Sequence, residues 1–161
     1  MNTTNASDLK SPRSLIILAV FLAVVIGVGA VIGVNTAPGE WYAGLTKPPF
    51  NPPNWVFGPV WFVLYVLIAI AGWRTFLAEP NGTGMKLWFG QMVLNWIWSP
   101  TWFTLHLPWL AFVVIVGILA LILAFIANRW DRDRLSAWLF VPYAAWVGFA
   151  SLLNLSIATL N

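Results

Sequence analysis

The chain has 161 residues, of which 60% are hydrophobic and only 8% charged, and it contains no cysteine. A soluble domain carries roughly 25% charged residues, so this composition excludes an ordinary soluble globule, and the missing cysteines exclude disulfides, thiolate metal sites and a cysteine nucleophile. The net charge of +3 gives no reason to invoke nucleic acid, because the cations follow the loops and report topology.

No charged residue lies between Arg13 and Glu40, between Lys47 and Arg74, between Lys86 and Arg129, or after Arg134. Crossing ~30 Å of hydrocarbon takes about 20 helical residues at 1.5 Å each. Three of these gaps therefore hold one span each and the longest holds two. The spacing predicts an all-α membrane protein, a bundle of five transmembrane helices over residues 14–161 behind a short tail over 1–13.

The first span is expected over 14–36 and, being longer than the apolar core of a signal peptide, is read as retained. Its Gly29 and Gly33 form a small-xxx-small pair that permits close helix contact and could serve dimerisation. The stretch Trp41 to Trp55 follows, an aromatic, proline-rich connection longer and more apolar than ordinary loops. Such a loop reads as the lid or wall of a pocket. The second span, over 56–77, carries Phe57, Trp61 and Tyr65.

The third span is expected over 85–105. Gln91, Asn95, Trp98 and Trp102 recur on it at +4, +7 and +11, which makes one face. Pro108 suits a helix's first turn, so His106-Leu107-Pro108 should be the tight turn of a hairpin into a fourth span over 109–129. His106 sits at the interface and is weighed as a side chain there against a less favoured role as a cofactor ligand. The run Arg129 to Arg134 reads as a mixed-charge interfacial turn. On the fifth span, over 135–159, Tyr143, Trp146, Ala150 and Asn154 share a face. Pro100 and Pro142 lie inside spans, where each removes a helical hydrogen bond and favours a kink.

Orientation follows from the cations. Lys10, Arg13, Arg74, Lys86, Arg129, Arg132 and Arg134 fall on one side of the five-span arrangement and only Lys47 on the other. The N-terminus is thus expected in the cytoplasm, with the C-terminus and the proline-rich loop outside. The sequons at Asn2, Asn5 and Asn81 then face the cytoplasm and carry no weight.

No span holds a charged residue near its centre, which argues against ion-coupled transport. Gln91, Asn95 and Asn154 must find partners inside the bundle, either as interhelical hydrogen bonds or around a ligand. Twelve tryptophans exceed what two interfacial belts need. Trp61, Trp98 and Trp146 lie on the amide-bearing faces, an arrangement that suits a flat, largely apolar ligand or plain aromatic packing equally well.

The residues also carry a resemblance. Trp41-Tyr42-x-x-Leu45-x-Lys47-Pro48 with Pro52-Pro53, then Trp61 and Tyr65, resembles the first-loop signature of the TspO/MBR family, the tryptophan-rich sensory protein and translocator protein group. Gln91-x-x-x-Asn95-x-x-Trp98-Ser99-Pro100 is similar to its third-helix motif. Pro142-Tyr143-x-x-Trp146-x-x-Phe149-Ala150-x-x-x-Asn154 is similar to its fifth.

The resemblance implies a five-helix bundle, often a homodimer, with a pocket beneath the first loop that binds porphyrins and haem. By motif position that pocket draws on Tyr42, Pro52, Phe57, Trp61, Tyr65, Asn95, Trp98, Tyr143, Trp146 and Ala150, with no metal ligand and no obligatory cofactor. The implied role is a stress-linked tetrapyrrole sensor, carrier or regulator among membrane lipids, and the helical bundle suits a bacterial inner membrane. Two alternatives stand beside it: light- and oxygen-dependent porphyrin breakdown with Trp61 and Trp146 as redox-active side chains, and porphyrin transport. The cholesterol motif of the animal relatives needs a basic residue late in the fifth helix, and nothing basic follows Arg134.

Overall fold

The computed structural model describes Leu9 and residues 11–161; Lys10, the sequon asparagines Asn2 and Asn5, and most of the expected tail lie outside the described residues. Among the described residues the fold is entirely helical, with α1 (Pro12–Asn35), α2 (Glu40–Gly44), α3 (Asn54–Ala78), α4 (Thr83–Phe103), α5 (Pro108–Trp130) and α6 (Arg134–Leu160). The starts follow local chemistry. Ser11 accepts from the Ser14 N–H at 3.2 Å ahead of Pro12, and Pro108 opens α5. Asp133 accepts from the Ser136 hydroxyl at 2.6 Å at the head of α6.

Four helices, α1, α3, α5 and α6, are long and apolar enough to cross a membrane. The protein is therefore a multi-pass membrane protein. With 21 residues, α4 matches the others in length, but Gln91, Asn95, Ser99, Thr101 and several indoles dilute its apolar character. It also ends at Phe103 rather than 105. The N–H groups of Thr104 and Leu105 both turn back to the Pro100 carbonyl, and His106 then takes a positive φ of 55° to reverse the chain.

The long helices form a ring. α1 packs on α3, α3 on α6, α6 on α5 and α5 on α4, and thinner contacts from α4 to α1 and α3 complete it. Phe125 stacks on Phe140 at 4.0 Å across the α5–α6 seam. The Trp88 indole donates to the Ile68 carbonyl at 2.9 Å and lies where Gly72 has no Cβ to obstruct it. Gly29 plays the same part for Tyr65, whose ring occupies the space a Cβ would need. This glycine thus serves contact within the chain, a different use from the dimer contact expected of the Gly29/Gly33 pair.

At the end opposite the long loop the charges are organised. Arg74 grips Asp133 through two hydrogen bonds of 2.9 and 2.8 Å. The Arg129 side chain, only 1% exposed, pairs with Glu79, which also accepts from Arg132 at 3.2 Å. The run from Arg129 to Arg134 is thus the mixed-charge turn expected between α5 and α6, mostly exposed, and only the Arg129 end of it is buried, against Glu79 just beyond α3. Burial by itself would raise the Asp133 pKa, but the hydrogen bonds from Arg74 and Ser136 and the Arg74 charge outweigh it and hold the carboxyl below its ordinary value.

Candidate ligand cavity and its roof

A cavity of about 550 Å³ lies inside the ring at the loop end, well within the roughly 300–1,000 Å³ of small-molecule sites. Among the described residues no Asp, Glu, Lys, Arg or His lines it. Its walls bring together Tyr42, Phe57, Trp61, Tyr65, Asn95, Trp98, Trp146 and Ala150 from the sequence expectation. Pro52 and Tyr143 do not line it. Pro52 lies in the loop and accepts from Asn51 Nδ2 through its carbonyl at 3.0 Å. Tyr143 sits behind the wall, fully buried.

The amides satisfy one another in a directed chain. The Tyr65 hydroxyl donates to Asn95 Oδ1 at 3.3 Å, Asn95 Nδ2 donates to the Tyr143 hydroxyl at 2.9 Å, and that hydroxyl donates to Gln91 Oε1 at 3.0 Å. Gln91 Nε2 closes the chain on the Trp88 carbonyl at 2.9 Å. Higher up, the Trp98 indole donates to Asn154 Oδ1 at 3.2 Å, and Asn154 Nδ2 to the Pro108 carbonyl at 3.0 Å. Interhelical bonding therefore accounts for all three amides, Gln91, Asn95 and Asn154. The indole N–H groups of Trp96 and Trp146 are different: both belong to cavity-wall residues, both are buried, and neither has an acceptor in the protein. A buried donor without a partner costs free energy, and these two N–H groups are closed off within the packing while other atoms of the same side chains form the wall.

Aromatic rings supply the shape. Trp61 packs on Tyr65 at 5.3 Å and edge-on to Tyr143 at 6.2 Å, while Phe57 meets Trp146 at 5.6 Å. Stacked Trp98 and Trp102, 6.0 Å apart, continue the wall toward the loop.

The loop forms the roof and is fastened at several points. Trp41 stacks on His106 at 4.2 Å and meets Trp102 edge-on at 6.0 Å. Tyr42 packs against Phe103 at 5.4 Å and donates to Asn51 Oδ1 at 3.4 Å. Burial raises its phenol pKa, only partly offset by that bond, so the phenol stays neutral at physiological pH. The Asn161 side chain pairs with both backbone groups of Thr46, at 2.9 and 3.0 Å. Lys47 caps α2 by donating to the Ala43 and Leu45 carbonyls and lies 4.6 Å from the Tyr42 ring centroid. His106 thus acts as a stacking partner for the roof and does not line the cavity.

Sequence reasoning missed the contribution of α1. Ile26, Gly29, Ala30 and Gly33 line the cavity, and Thr36 meets the Ser99 hydroxyl at 2.6 Å across the thin α1–α4 seam. A chain of small residues along one helix, Gly29, Ala30 and Gly33, was the available signal.

Fold and cavity together describe a helical, multi-pass membrane protein with a charge-free aromatic chamber. Comparison with known proteins agrees. The profile of the TspO/MBR family matches residues 18–160. The chain is 37% identical over 152 residues to Protein CrtK of Rhodobacter capsulatus, covering 92% of this chain and 94% of that protein. It is 34% identical over 138 residues to the tryptophan-rich sensory protein of Cereibacter sphaeroides, covering 84% and 85%. To human translocator protein it is 33% identical over 134 residues, covering 78% and 79%. The chain belongs to the TspO/MBR family.

Proposed function

We propose that this protein is a five-span membrane receptor for tetrapyrroles such as protoporphyrin IX and haem, acting as a sensor, carrier or regulator. The N-terminus lies in the cytoplasm, by the excess of Lys and Arg in the loops of that side, and in a bacterium the bundle belongs in the inner membrane. The observation that carries the reading is the chamber itself. It is large, walled by rings and free of charged side chains among the described residues. A tetrapyrrole offers a flat apolar body for the rings. Among the described residues no His, Cys or Met lines the cavity, so binding would rest on ring contacts and hydrogen bonds rather than on imidazole or sulfur ligation of iron. The names of the relatives, sensory and translocator proteins, accord with a ligand-handling role.

Protoporphyrin IX should quench the tryptophan fluorescence of the purified protein saturably, with one site per chain. Replacing Trp61 and Trp146 together by Phe should weaken the affinity. Absence of saturable quenching in the unaltered protein would sink the reading.

A further inference from the structure

Seven residues of the cavity wall are exposed: Ala30, Gly33, Ala37, Pro38, Asn54, Gly58 and Phe62. All of them belong to α1, the connection just after it, or the first turns of α3. Every wall residue from α4, α5 and α6 is buried or half-buried. The mouth of the chamber is therefore a slot between α1 and α3. Small residues edge it, and a Cβ added at Gly33 or Gly58 would meet nothing within 4 Å. Phe62 is the one bulky side chain at the slot. It lies eight residues into α3, roughly 12 Å along a helix at 1.5 Å per residue, which is inside hydrocarbon rather than above it.

We infer that the chamber exchanges its ligand sideways with the bilayer through the α1–α3 slot, and that the long loop is a fixed roof rather than a door. The ligand class is then a flat, membrane-dissolved amphiphile that slips in edge-first. The small residues leave open space along the slot's edges at Gly33 and Gly58, whereas the roof is tied to α4, the α4–α5 turn and the end of α6 by the Trp41, Tyr42 and Thr46 contacts. Lifting it would break three stacked or edge-on ring pairs and the paired Thr46–Asn161 hydrogen bonds together. The inference rests on the tetrapyrrole reading of the chamber.

The chain has no native cysteine, which makes the test direct. Thr46→Cys with Asn161→Cys, joined by a short bis-alkylating reagent, locks the roof. Gly33→Leu and Gly58→Leu, placed where added carbons meet open space, plug the slot. Each protein in nanodiscs is mixed with vesicles carrying protoporphyrin IX, and the rate of tryptophan quenching is followed. The locked roof should bind at the native rate, while the plugged slots should slow both binding and release by about tenfold or more and still reach saturation. Slowing by the roof crosslink, or weakened binding at an unchanged rate in the plugged proteins, overturns the lateral route. No quenching in the unaltered protein would instead remove the tetrapyrrole reading, and the route with it.

Discussion

Replacing Tyr143 by Phe deletes a single oxygen and leaves two partners stranded. Asn95 Nδ2 loses its acceptor at 2.9 Å, and Gln91 Oε1 loses its donor at 3.0 Å. The losses are unequal. Asn95 borders the cavity, where water can take the freed N–H, whereas Gln91 is 0% exposed. A stranded buried group costs about 1–3 kcal/mol, while two interhelical bonds of average strength in a membrane protein would total only ~1.2 kcal/mol. Gln91 sits in dry protein, so the larger cost governs it, and we expect Tyr143→Phe to destabilise by about 2 kcal/mol. Adding Gln91→Leu removes the stranded acceptor, and most of the loss should return, because deleting both partners can be nearly neutral. The four proteins of this double-mutant cycle can be compared by reversible unfolding in mixed micelles. A loss below about 0.5 kcal/mol for Tyr143→Phe, half the lower bound for one stranded buried group, would refute the reasoning. So would a double variant as unstable as the sum of the single ones.

Three further outcomes follow from the packing. Glu79→Gln should cost more stability than Arg129→Met in the same unfolding assay, since the first leaves a guanidinium uncompensated at 1% exposure and the second leaves a 24%-exposed carboxylate still paired with Arg132. Gly29→Ala should lower the thermal midpoint in detergent, with a loss of about 1–3 kcal/mol from overpacking against the Tyr65 ring, although the same exchange in an open helix stabilises. The folded-state pKa of Asp133 is depressed, so its contribution is complete above the ordinary carboxylate value of 3.8 and is lost as pH falls from there through the folded value. Asp133→Asn should therefore remove part of the acid dependence of unfolding, and an unchanged pH profile would count against the Arg74 pairing.

Much of the architecture is legible in the residues, for a physical reason. Charge is expelled from hydrocarbon, so the gaps between charged residues locate the long helices to within about two residues of Asn35, Ala78, Phe103, Trp130 and Leu160. The faces carrying Asn95 with Trp98 and Trp146 with Ala150 are equally readable, because helical periodicity needs no partner to be seen. The burial of Arg129 is not. Its charge marks a boundary in any one-dimensional reading, and only the packing of α4 along α5 brings Glu79, in the connection just ahead of α4, to neutralise it. Nor does periodicity separate Tyr143 from Trp146: three residues apart on one face, one ends behind the wall and the other on it. The slot escapes for a related reason. Glycine and alanine report how close two helices come, and a sequence does not say whether the space they leave is filled by a ring, as at Gly29, or left open, as at Gly33.

The bundle is fastened with different chemistry at its two ends. Guanidinium–carboxylate pairs hold the end of Arg74, Glu79, Arg129 and Asp133, whereas the chamber end is held by hydroxyls, indoles, amides and stacked rings. Acidity acts on the first set through its carboxylates, and added salt screens chiefly its most exposed pair, Arg132 with Glu79. Acid in the adjoining aqueous phase can therefore loosen the distant seam without reaching the lining of the chamber, while an apolar solute dissolved in lipid has the opposite reach.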